Sequence, residues 1–376
     1  MKTDLSLHDR NLTLFRYPKL ANETLQAWDA GDEYLINHIE ALDLNPQQNI
    51  LVLNDHFGAL SCWFSAKHKV TLMSDSYISH QGALHNLQLN QCHNVTILTS
   101  MDAIPNDTHM VVMQLPKSNR HLVWQLSQLR QALPSNVPVI AVNKARDIHT
   151  STLKLFEKHL GTTTTSLAWK KHRLVFCHAN CSQTDSPAAI VSWDVPEHHM
   201  TLQNLPNVYS GESLDLGARF MLEHIPSDEK LKHIIDLGCG NGVLSVKAAR
   251  LNPQAKITLV DESFMALASA KLNIEHNTEH AAEVEFIANN CLERFSPQSA
   301  DLILCNPPFH QQQTVTDHIA WQMFCDAKRV LIKEGKLLVI GNRHLGYDAK
   351  LRRLYGEKNV KLVASNSKFV ILQATK

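Results

Sequence analysis

Residues 234–243 read Ile-Ile-Asp-Leu-Gly-Cys-Gly-Asn-Gly-Val, an apolar run that passes through a carboxylate into alternating glycines. The apolar run predicts a buried strand, and the residues from Val243 to Arg250 have helical spacing. Glycine lets the backbone turn sharply and approach a ligand closely. A strand, a glycine-rich loop and a helix in this order predict an α/β sheet that binds a ligand at the loop.

The rest of the C-terminal half alternates between short apolar runs and helical spacing. This alternation predicts a doubly wound, mostly parallel sheet, and the last two strands predict a hairpin that adds antiparallel strands at one edge. The predicted elements after the glycine-rich loop and its helix are Lys256–Val260, Phe264–His276, Val284–Ala288, Asp301–Cys305, Val315–Val330, Lys336–Ile340, Tyr347–Tyr355, Val360–Ala364 and Lys368–Gln373.

The N-terminal half shows the same pattern in the same order. Colinear matches that include polar positions favour two copies of one domain over two unrelated sheets. The matched stretches include Gly58–Ser61 with Gly242–Ser245, Met73–Ser76 with Val260–Ser263, Val111–Lys117 with Leu302–Pro308, and a hairpin of Thr164–Trp169 and Arg173–His178 with the closing hairpin.

The segment from about Cys181 to His199 breaks this pattern and is interpreted as a linker. We therefore expect one domain over residues 1–185 and a second over residues 186–376. The chain has 376 residues, of which 44% are hydrophobic, so each half is able to bury its own core.

Composition excludes several classes of protein. The formal net charge is zero, with 36 basic and 36 acidic side chains, so a nucleic-acid partner requires a local basic patch. No stretch approaches the roughly 20 apolar residues of a membrane helix, and the N-terminus has no signal-peptide pattern. The eight cysteines lack the spacing of a disulfide framework. We expect a cytoplasmic protein with no membrane partner and no obligate protein partner.

The glycine spacing distinguishes this loop from that of a nicotinamide-binding site. The nicotinamide fingerprint needs its third glycine at the position where this chain has Val243. The loop suits the amino-acid end of S-adenosylmethionine, which has no pyrophosphate. Asp261 ends the second strand, where its carboxylate is placed to accept hydrogen bonds from both ribose hydroxyls. Asn290 either contacts the adenine amine or caps the next helix. The predicted cofactor-binding residues are Asp236, Gly238, Gly240, Asn241, Gly242, Asp261, Glu262 and Asn290.

Asn306-Pro307-Pro308-Phe309 follows the fourth predicted strand, at the edge where open α/β sheets bind ligands. The side-chain carbonyl of Asn306 and the backbone carbonyl of Pro307 are placed to accept from an NH₂ group, which turns its nitrogen lone pair toward a methyl donor. Phe309 offers a stacking face for a planar base. A turn needs neither the asparagine nor the aromatic residue, so these four residues predict catalysis of methyl transfer to an exocyclic amine.

A metal centre is not expected. Cys177 and Cys181, with His172 and His178, have the residue types of a metal site. The cysteines lie on a predicted strand and its exit, and no second ligand pair has the spacing of a zinc finger.

These motifs resemble those of class I methyltransferases of the Asn-Pro-Pro-aromatic type. Over nearly its full length the chain is similar to bacterial ribosomal RNA guanine-N2 methyltransferases, and within them to the 23S rRNA branch, whose sister is the small-subunit methyltransferase C family. The resemblance implies methylation of one guanine N2 in large-subunit rRNA, either free or in an assembly intermediate. The residues alone imply only an exocyclic amine. The stretches that carry the resemblance are Leu25–Trp28, Leu53–Cys62, Lys144–Leu153, Leu167–Lys171, Asp215–Phe220 and Asn306–Gln312.

The first copy lacks most of the predicted site. Val52 replaces the acid before the glycines, and Asn54 and His56 replace the first two glycines. Leu115-Pro116-Lys117 is matched to Asn306-Pro307-Pro308. The resemblance implies two tandem class I (Rossmann-like) methyltransferase domains, and we expect the first to be degenerate, without cofactor or catalysis.

Basic residues mark the loops of the first copy, and phosphate contacts need such groups. We expect this copy to recognise RNA, and a merely solvated basic surface is the alternative. Tyr209 precedes the catalytic copy and either closes over the substrate or cofactor or packs against the sheet. The predicted RNA-binding residues are Lys144, Arg146, Lys170, Lys171, Arg173 and Tyr209.

Two other functions fit parts of the sequence. The amine-binding turn also serves enzymes that methylate 16S rRNA guanine, adenine in RNA or DNA, or glutamine in proteins. The duplicated architecture argues against the DNA, tRNA and protein enzymes. A non-catalytic RNA-binding or assembly protein is the remaining interpretation, and intact Asp236, Asp261 and Asn306 argue against it.

Overall fold

A computed structural model describes residues 2–180, 188–279, 283–308 and 313–376, with the backbone alone for residues 313–317. The chain divides into two compact units, Met1–Ala189 and Ile190–Lys376. The domain boundary expected at residues 185–186 lies outside the described residues.

The N-terminal unit opens with a short hairpin and continues as alternating helices and strands around one seven-stranded sheet. The strand order is β5-β4-β3-β6-β7-β9-β8. The first five strands are parallel to one another, and β9 pairs antiparallel with both β7 and β8. The elements are β1 (Asp4–Leu7), β2 (Arg10–Thr13), α1 (Ala30–Glu40), β3 (Asn49–Leu53), α2 (Ala59–Phe64), β4 (Lys69–Ser74), α3 (Tyr77–Leu89), β5 (Val95–Thr99), β6 (Met110–Gln114), α4 (Asn119–Ala132), β7 (Pro138–Lys144), α5 (Thr150–His159), β8 (Thr163–Thr165) and β9 (His172–His178).

The C-terminal unit has the same plan. Its seven-stranded sheet has the order β14-β13-β12-β15-β16-β18-β17, again with five parallel strands followed by an antiparallel pair. The elements are β10 (Val191–Val195), β11 (Met200–Asn204), α6 (Leu216–Leu222), β12 (His233–Leu237), α7 (Val243–Leu251), β13 (Lys256–Asp261), α8 (Phe264–Asn277), β14 (Glu283–Ala288), β15 (Ala300–Cys305), α9 (Gln313–Val330), β16 (Leu331–Asn342), α10 (Tyr347–Tyr355), β17 (Val360–Ser365) and β18 (Phe369–Thr375).

The central strands of each sheet are buried on both faces. In β3 and β6 nearly every side chain is buried, and β12 and β15 follow the same pattern. A strand covered on both faces is expected to be a continuous apolar run, which is why these strands were recognisable from the sequence. The prediction of two tandem Rossmann-like α/β domains is confirmed.

A glycine at the start of the first helix after the central strand makes an equivalent close contact in each unit. Gly58 and Gly242 begin α2 and α7 with φ angles of 83° and 77°. A Cβ at Gly58 would lie 2.8 Å from the Cα of Ala83, and one at Gly242 would lie 2.9 Å from the Cβ of Ala270. Only glycine fits both the left-handed backbone and the close helix behind it, so both copies keep this residue.

Two local predictions were wrong. Part of the predicted linker is β10, which pairs with β11 through a turn that contains Pro196 and the left-handed residue His199. β10 is a half-exposed strand of a two-stranded ladder and therefore lacks an apolar run. In the N-terminal unit the strand predicted at Thr164–Trp169 ends at Thr165, and the following residues form a projecting loop.

Candidate active site

The glycine-rich loop lies at the carboxyl ends of the parallel strands. Gly238, Gly240 and Gly242 all have positive φ, at 76°, 53° and 77°. The backbone N–H groups of Gly238 and Cys239 donate to the Val260 carbonyl at 2.8 and 3.0 Å, which holds the loop against β13. No heavy atom of the described residues lies within 4 Å of a Cβ built on Gly240. At Gly240 the loop therefore presents bare backbone to open space, as a ligand cradle requires.

Asp261 links this loop to the second strand. Its Oδ2 accepts from the backbone N–H of Gly240 at 2.9 Å, and its Oδ1 accepts from the backbone N–H of Ser263 at 3.0 Å. A carboxylate oxygen is able to accept more than one hydrogen bond, so these backbone contacts do not prevent Asp261 from accepting a ligand donor as well. Glu262 follows in the turn into α8, where Ser263 caps the helix by accepting from Ala266 N–H at 3.1 Å. This arrangement fits a ligand with paired hydroxyls beside the loop.

Asp236 lies beneath the loop and is only 1% exposed. It accepts a hydrogen bond from Ser245 Oγ at 2.6 Å, which ties β12 to α7. Burial raises the pKa of Asp236 to about 7, although hydrogen bonds from Ser245 act in the opposite direction. The structure therefore places this predicted cofactor residue as a support for the loop.

Asn241, also predicted to bind cofactor, has a buried side chain that faces the protein. Its Nδ2 donates to Asn204 Oδ1 at 2.9 Å, and its backbone carbonyl accepts from Asn273 Nδ2 at 2.8 Å. These contacts connect the loop to β11 and α8, so the side chain of Asn241 fixes the position of the loop.

Asn290 follows β14 and is buried. Its backbone carbonyl accepts from Glu293 N–H at 3.1 Å in a turn over residues 291–295, and β15 follows. The alternative in which Asn290 caps a helix was wrong, because no helix begins there in the described stretch 283–308. Contact with the adenine amine stays a prediction.

Asn306 lies at the end of β15, beside the glycine-rich loop, because β15 pairs with β12 through Leu237 and Cys305. Its Nδ2 donates to Asp215 Oδ2 at 3.3 Å. Its Oδ1 is buried and has no hydrogen-bond partner among the described residues. An unpaired buried acceptor costs roughly 1–3 kcal/mol, so this oxygen is suited to a donor from a bound substrate.

The neighbouring residues of this motif differ in exposure. Pro307 is buried and Pro308 is exposed. The predicted stacking residue, Phe309, lies outside the described residues.

Asp215 lies between Tyr209 and Asn306 and accepts a hydrogen bond from each. Asp215 caps α6 by accepting from Ala218 N–H at 2.8 Å, and its Oδ1 accepts from the Tyr209 hydroxyl at 3.4 Å. The tyrosine is 51% exposed. Sequence reasoning missed both α6 and the role of Asp215 as a site residue, although aspartate is a residue type that often caps helices.

The N-terminal unit has different residues at the end of its fourth parallel strand. Strand pairing places Leu53 beside Met113, as it places Leu237 beside Cys305. Gln114 therefore stands at the position of Asn306, and the predicted match of Leu115 to Asn306 was one residue out of register. The error arose because both strands are uniformly apolar, so the pattern alone does not set their register.

Internal contacts occupy this region of the N-terminal unit. Asn54 and Gln125 exchange side-chain hydrogen bonds of 3.1 and 2.9 Å, and Asn54 Nδ2 also donates to the Gln114 carbonyl at 2.8 Å. Ser74 stands where the other unit has Asp261, since each ends its strand and accepts from the second following N–H. This unit therefore lacks the carboxylate that Asp261 provides and has internal hydrogen bonds at Asn54, in agreement with its degenerate character.

Four of the predicted RNA-binding residues come together in the N-terminal unit. Lys144 ends β7, Arg146 follows, and the Ala145 N–H donates to the Lys171 carbonyl at 2.8 Å. Lys170 pairs with Glu33 at 2.8 Å and lies over the Trp169 ring at 4.4 Å. Leu167, in the same loop, is 87% exposed. Arg173 lies half-buried on β9, and Tyr209 belongs to the other unit.

The described part of the chain has neither a metal centre nor a membrane-spanning helix. Its histidine, cysteine and acidic side chains include no group of three or more that would hold a metal ion. Among the helices described, none is both long and apolar enough to cross a membrane.

Two family models match the chain. One, described as the RLMG N-terminal domain, matches residues 2–181, and the other, described as the methyltransferase small domain, matches residues 199–373. A 16S rRNA N2 methyltransferase from T. thermophilus, solved with AdoMet and guanosine, matches all of this chain and 97% of its own, with a TM-score of 0.75 and 18% identity. At that identity the likeness shows a shared fold.

Two relatives from Vibrio carry the name ribosomal RNA large subunit methyltransferase G. The protein of Vibrio vulnificus strain YJ016 is 74% identical over the full length of both chains. The protein of Vibrio parahaemolyticus is 69% identical over all of this chain and 98% of its own. Identity at this level over the whole length establishes common membership. The chain belongs to the ribosomal RNA large subunit methyltransferase G family.

Proposed function

We propose that this enzyme transfers a methyl group from S-adenosylmethionine to the exocyclic N2 amine of one guanine in 23S rRNA. Membership of the family supports large-subunit ribosomal RNA as the substrate. The resemblance to guanine-N2 methyltransferases supports the nucleobase and its amine. Because the substrate is ribosomal RNA, either free or in an assembly intermediate, we also propose that the enzyme acts in the cytoplasm.

The observation that carries this proposal is the unpartnered Oδ1 of Asn306. An exocyclic amine has two N–H donors and is a ligand that this buried acceptor fits. The Pro307 carbonyl is the second acceptor we assign to the amine. Two acceptors on the N–H groups leave the nitrogen lone pair directed away from them, toward the loop of Gly238–Gly242.

We assign the cofactor to that loop and to Asp261. The bare backbone at Gly240 suits its amino-acid end, and the carboxylate of Asp261 suits its ribose hydroxyls. When bound, S-adenosylmethionine supplies the methyl group: the amine lone pair forms the new N–C bond, the S–C bond breaks with its electrons on sulfur, and the amine loses a proton to water. Asn306 and Pro307 hold the amine in line for this transfer.

We propose that the N-terminal unit contributes to RNA binding. Lys144, Arg146 and Lys171 are exposed around one turn, and Trp169 and Leu167 lie in the same loop. Cationic side chains neutralise phosphates, and aromatic rings stack on unpaired bases. The domain assignment is then a degenerate, RNA-recognising domain over residues 1–185 and a catalytic domain over residues 186–376.

The reaction is tested with labelled cofactor and deproteinised total RNA from a strain that lacks the gene. We expect label in 23S rRNA, recovered after digestion as N2-methylguanosine by mass spectrometry. Label in 16S rRNA, in adenosine, in DNA or in protein would replace this proposal with the corresponding alternative.

Asn306→Ala tests the assigned site. We expect single-turnover methylation to fall by about 10²- to 10⁴-fold, as when other positioned polar groups are removed, with cofactor affinity almost unchanged. Gln114→Ala, at the equivalent position of the N-terminal unit, is the matched control and should methylate RNA normally. Near-normal single-turnover rates for Asn306→Ala would overturn the assignment of the amine site.

A further inference from the structure

We propose that Asp215 and Tyr209 are positioning residues that fix which end of the Asn306 amide faces the substrate. This inference rests on the proposed function, since it concerns the same amine. Asp215 Oδ2 lies 3.3 Å from Asn306 Nδ2, and Tyr209 Oη lies 3.4 Å from Asp215 Oδ1. The three side chains form a chain of hydrogen bonds from the half-exposed tyrosine to the partly buried amide of Asn306, whose Oδ1 atom is fully buried.

The chemistry of an amide side chain makes its orientation decisive. Its oxygen accepts hydrogen bonds, whereas its nitrogen only donates. A substrate amine needs hydrogen-bond acceptors. An Asn306 side chain rotated by 180° would present its own N–H groups to the N–H groups of the amine and would not bind the amine. An ionised carboxylate accepts only, so the end of Asn306 that faces Asp215 must be the NH₂ group. The oxygen is thereby directed to the opposite side.

Asp215 is itself held in place. Its Oδ2 accepts from Ala218 N–H at 2.8 Å as the cap of α6, which fixes the carboxylate to the backbone. A Cβ built on Gly217 would lie 3.0 Å from the same oxygen, so the glycine leaves room for the carboxylate in this position. The hydroxyl of Tyr209 holds the other oxygen. The orientation of the carboxylate is therefore set before any substrate binds.

A carboxylate behind the amide also acts on its polarity. A hydrogen bond from Nδ2 to a negative group polarises the amide and makes Oδ1 a stronger acceptor, because chains of hydrogen bonds reinforce one another in a buried site. The amine gains positive charge as the new N–C bond forms, so this acceptor is stronger toward the transition state than toward the bound substrate. Loss of Asp215 should therefore lower kcat more than it raises KM.

A related contact exists in the N-terminal unit. Gln114, at the position of Asn306, donates through Nε2 to Asp32 in the first turn of α1. An amide at the end of the fourth strand thus donates to a carboxylate near a helix start in both units. The N-terminal pair is not proposed to bind an amine, so it supplies a control in which the same kind of contact has only a structural role.

The test compares Asp215→Ser and Asp215→Asn in the full-length enzyme. Serine caps helices well but is too short to reach Asn306, and asparagine keeps both the cap and the reach without the charge. For Asp215→Ser we expect kcat on 23S rRNA to fall about 10- to 100-fold, with KM and cofactor Kd within about threefold of wild type. For Asp215→Asn we expect a fall of about 3- to 10-fold, since its amide no longer dictates one orientation. Tyr209→Phe, which removes only the hydroxyl, should lower kcat by about 2- to 5-fold.

Thermal unfolding of each variant separates positioning from folding. If Asp215→Ser lowers Tm, Asp215→Asn provides the decisive measurement, because its cap is intact. Asp32→Ser in the N-terminal unit is the matched control and should leave kcat unchanged. Wild-type kcat in both Asp215 variants would overturn the inference and leave Asp215 as a helix cap.

A double-mutant comparison distinguishes this inference from the proposed function. In the Asn306→Ala background, Asp215→Ser should cause no further loss of single-turnover rate, since the residue it positions is gone. An additive loss would overturn the positioning role. If Asn306→Ala is fully active, the proposed amine site is wrong. If Asn306→Ala is inactive but the Asp215 variants are fully active, only the positioning role of Asp215 is wrong.

Discussion

At the scale of single residues, three aspartates of the C-terminal unit have three different roles that their environments set. Asp236 is buried beneath the loop and bonded to Ser245, and burial raises its pKa to about 7. Asp261 is half-buried and accepts from the backbone N–H groups of Gly240 and Ser263. Asp215 caps a helix and faces the amide of Asn306. Their common charge therefore says little about their roles, which depend on burial and on the donors around each carboxylate.

We predict that Asp261→Ser weakens S-adenosylmethionine binding by about 2–3 kcal/mol, or roughly 30- to 150-fold in Kd, because hydrogen bonds to a charged acceptor are lost. Serine is the residue that the N-terminal unit has at this position, Ser74, where it still accepts from a following N–H. The turn into α8 should therefore survive. Titration calorimetry measures the affinity, with Ser74→Ala as the matched control that binds normally. Unchanged affinity in Asp261→Ser would contradict the cofactor placement.

At the scale of elements, two asparagines four residues apart hold a short backbone segment in each unit by side-chain hydrogen bonds. In α8, Asn273 Oδ1 accepts from Gln203 N–H at 2.7 Å, and Asn277 Oδ1 accepts from Thr201 N–H at 3.0 Å. Asn86 in α3 and Asn90, which directly follows this helix, accept in the same way from the N–H groups of Phe15 and Thr13, at 2.9 Å each. A side-chain amide donates and accepts at once and so imitates a neighbouring strand. The recurrence of these contacts supports the duplication more strongly than the apolar pattern does.

Asn273 also fastens the glycine-rich loop through the Asn241 carbonyl at 2.8 Å. We predict that Asn273→Ala lowers the free energy of unfolding by about 2–4 kcal/mol, since it leaves buried backbone groups unpaired, and weakens cofactor binding as well. Asn86→Ala, which removes the equivalent contact to the Phe57 carbonyl, should destabilise its unit similarly without changing cofactor affinity. Thermal unfolding and calorimetry measure the two effects. Equal cofactor affinities in both variants would show that Asn273 does not control the loop.

At the scale of the whole molecule, two units of one topology differ in what lies at the carboxyl ends of their strands. The C-terminal unit has open backbone and unused acceptors there. In the N-terminal unit the equivalent loop contains Asn54, whose side chain is hydrogen-bonded to Gln125 of α4, and exposed lysines lie on other loops of the same unit. A common sheet supports both arrangements because function depends on the loops at its edge.

We predict that replacing Lys144 and Lys171 together by alanine weakens RNA binding and reduces the slope of log K against log salt by about 1–2, since each lost phosphate contact removes about 0.7–0.9 from the slope. Cofactor affinity should not change. Lys69→Ala with Lys158→Ala is the matched control: both are exposed lysines of the same unit, near the opposite ends of its strands. Filter binding across a salt series measures the slope. Equal slopes in the two double variants would argue that this basic surface is exposed to solvent and does not contact RNA phosphates.

Much of the architecture was predictable because it depends on local signals. Buried parallel strands are continuous apolar runs, and a loop with alternate glycines between a strand and a helix is visible without knowledge of its neighbours. The two sheets, the glycine-rich loop, the acid at Asp261 and the turn at Asn306 were all identified in this way. Strand β10 was missed because only one of its faces is buried and it has no apolar run.

The details of the site depended on contacts between residues far apart in the chain. Asp215 meets Asn306 across 91 positions of sequence, and nothing near either residue indicates the other. Strand pairing shows that Gln114 occupies the position equivalent to Asn306. The sequence alone does not determine this register, because both strands are uniformly apolar. Spacing along the chain thus determined the kind of fold, the loop and the reactive turn. Packing of distant segments decided which carboxylates face the ligand, which lie buried, and which way the asparagine amide points.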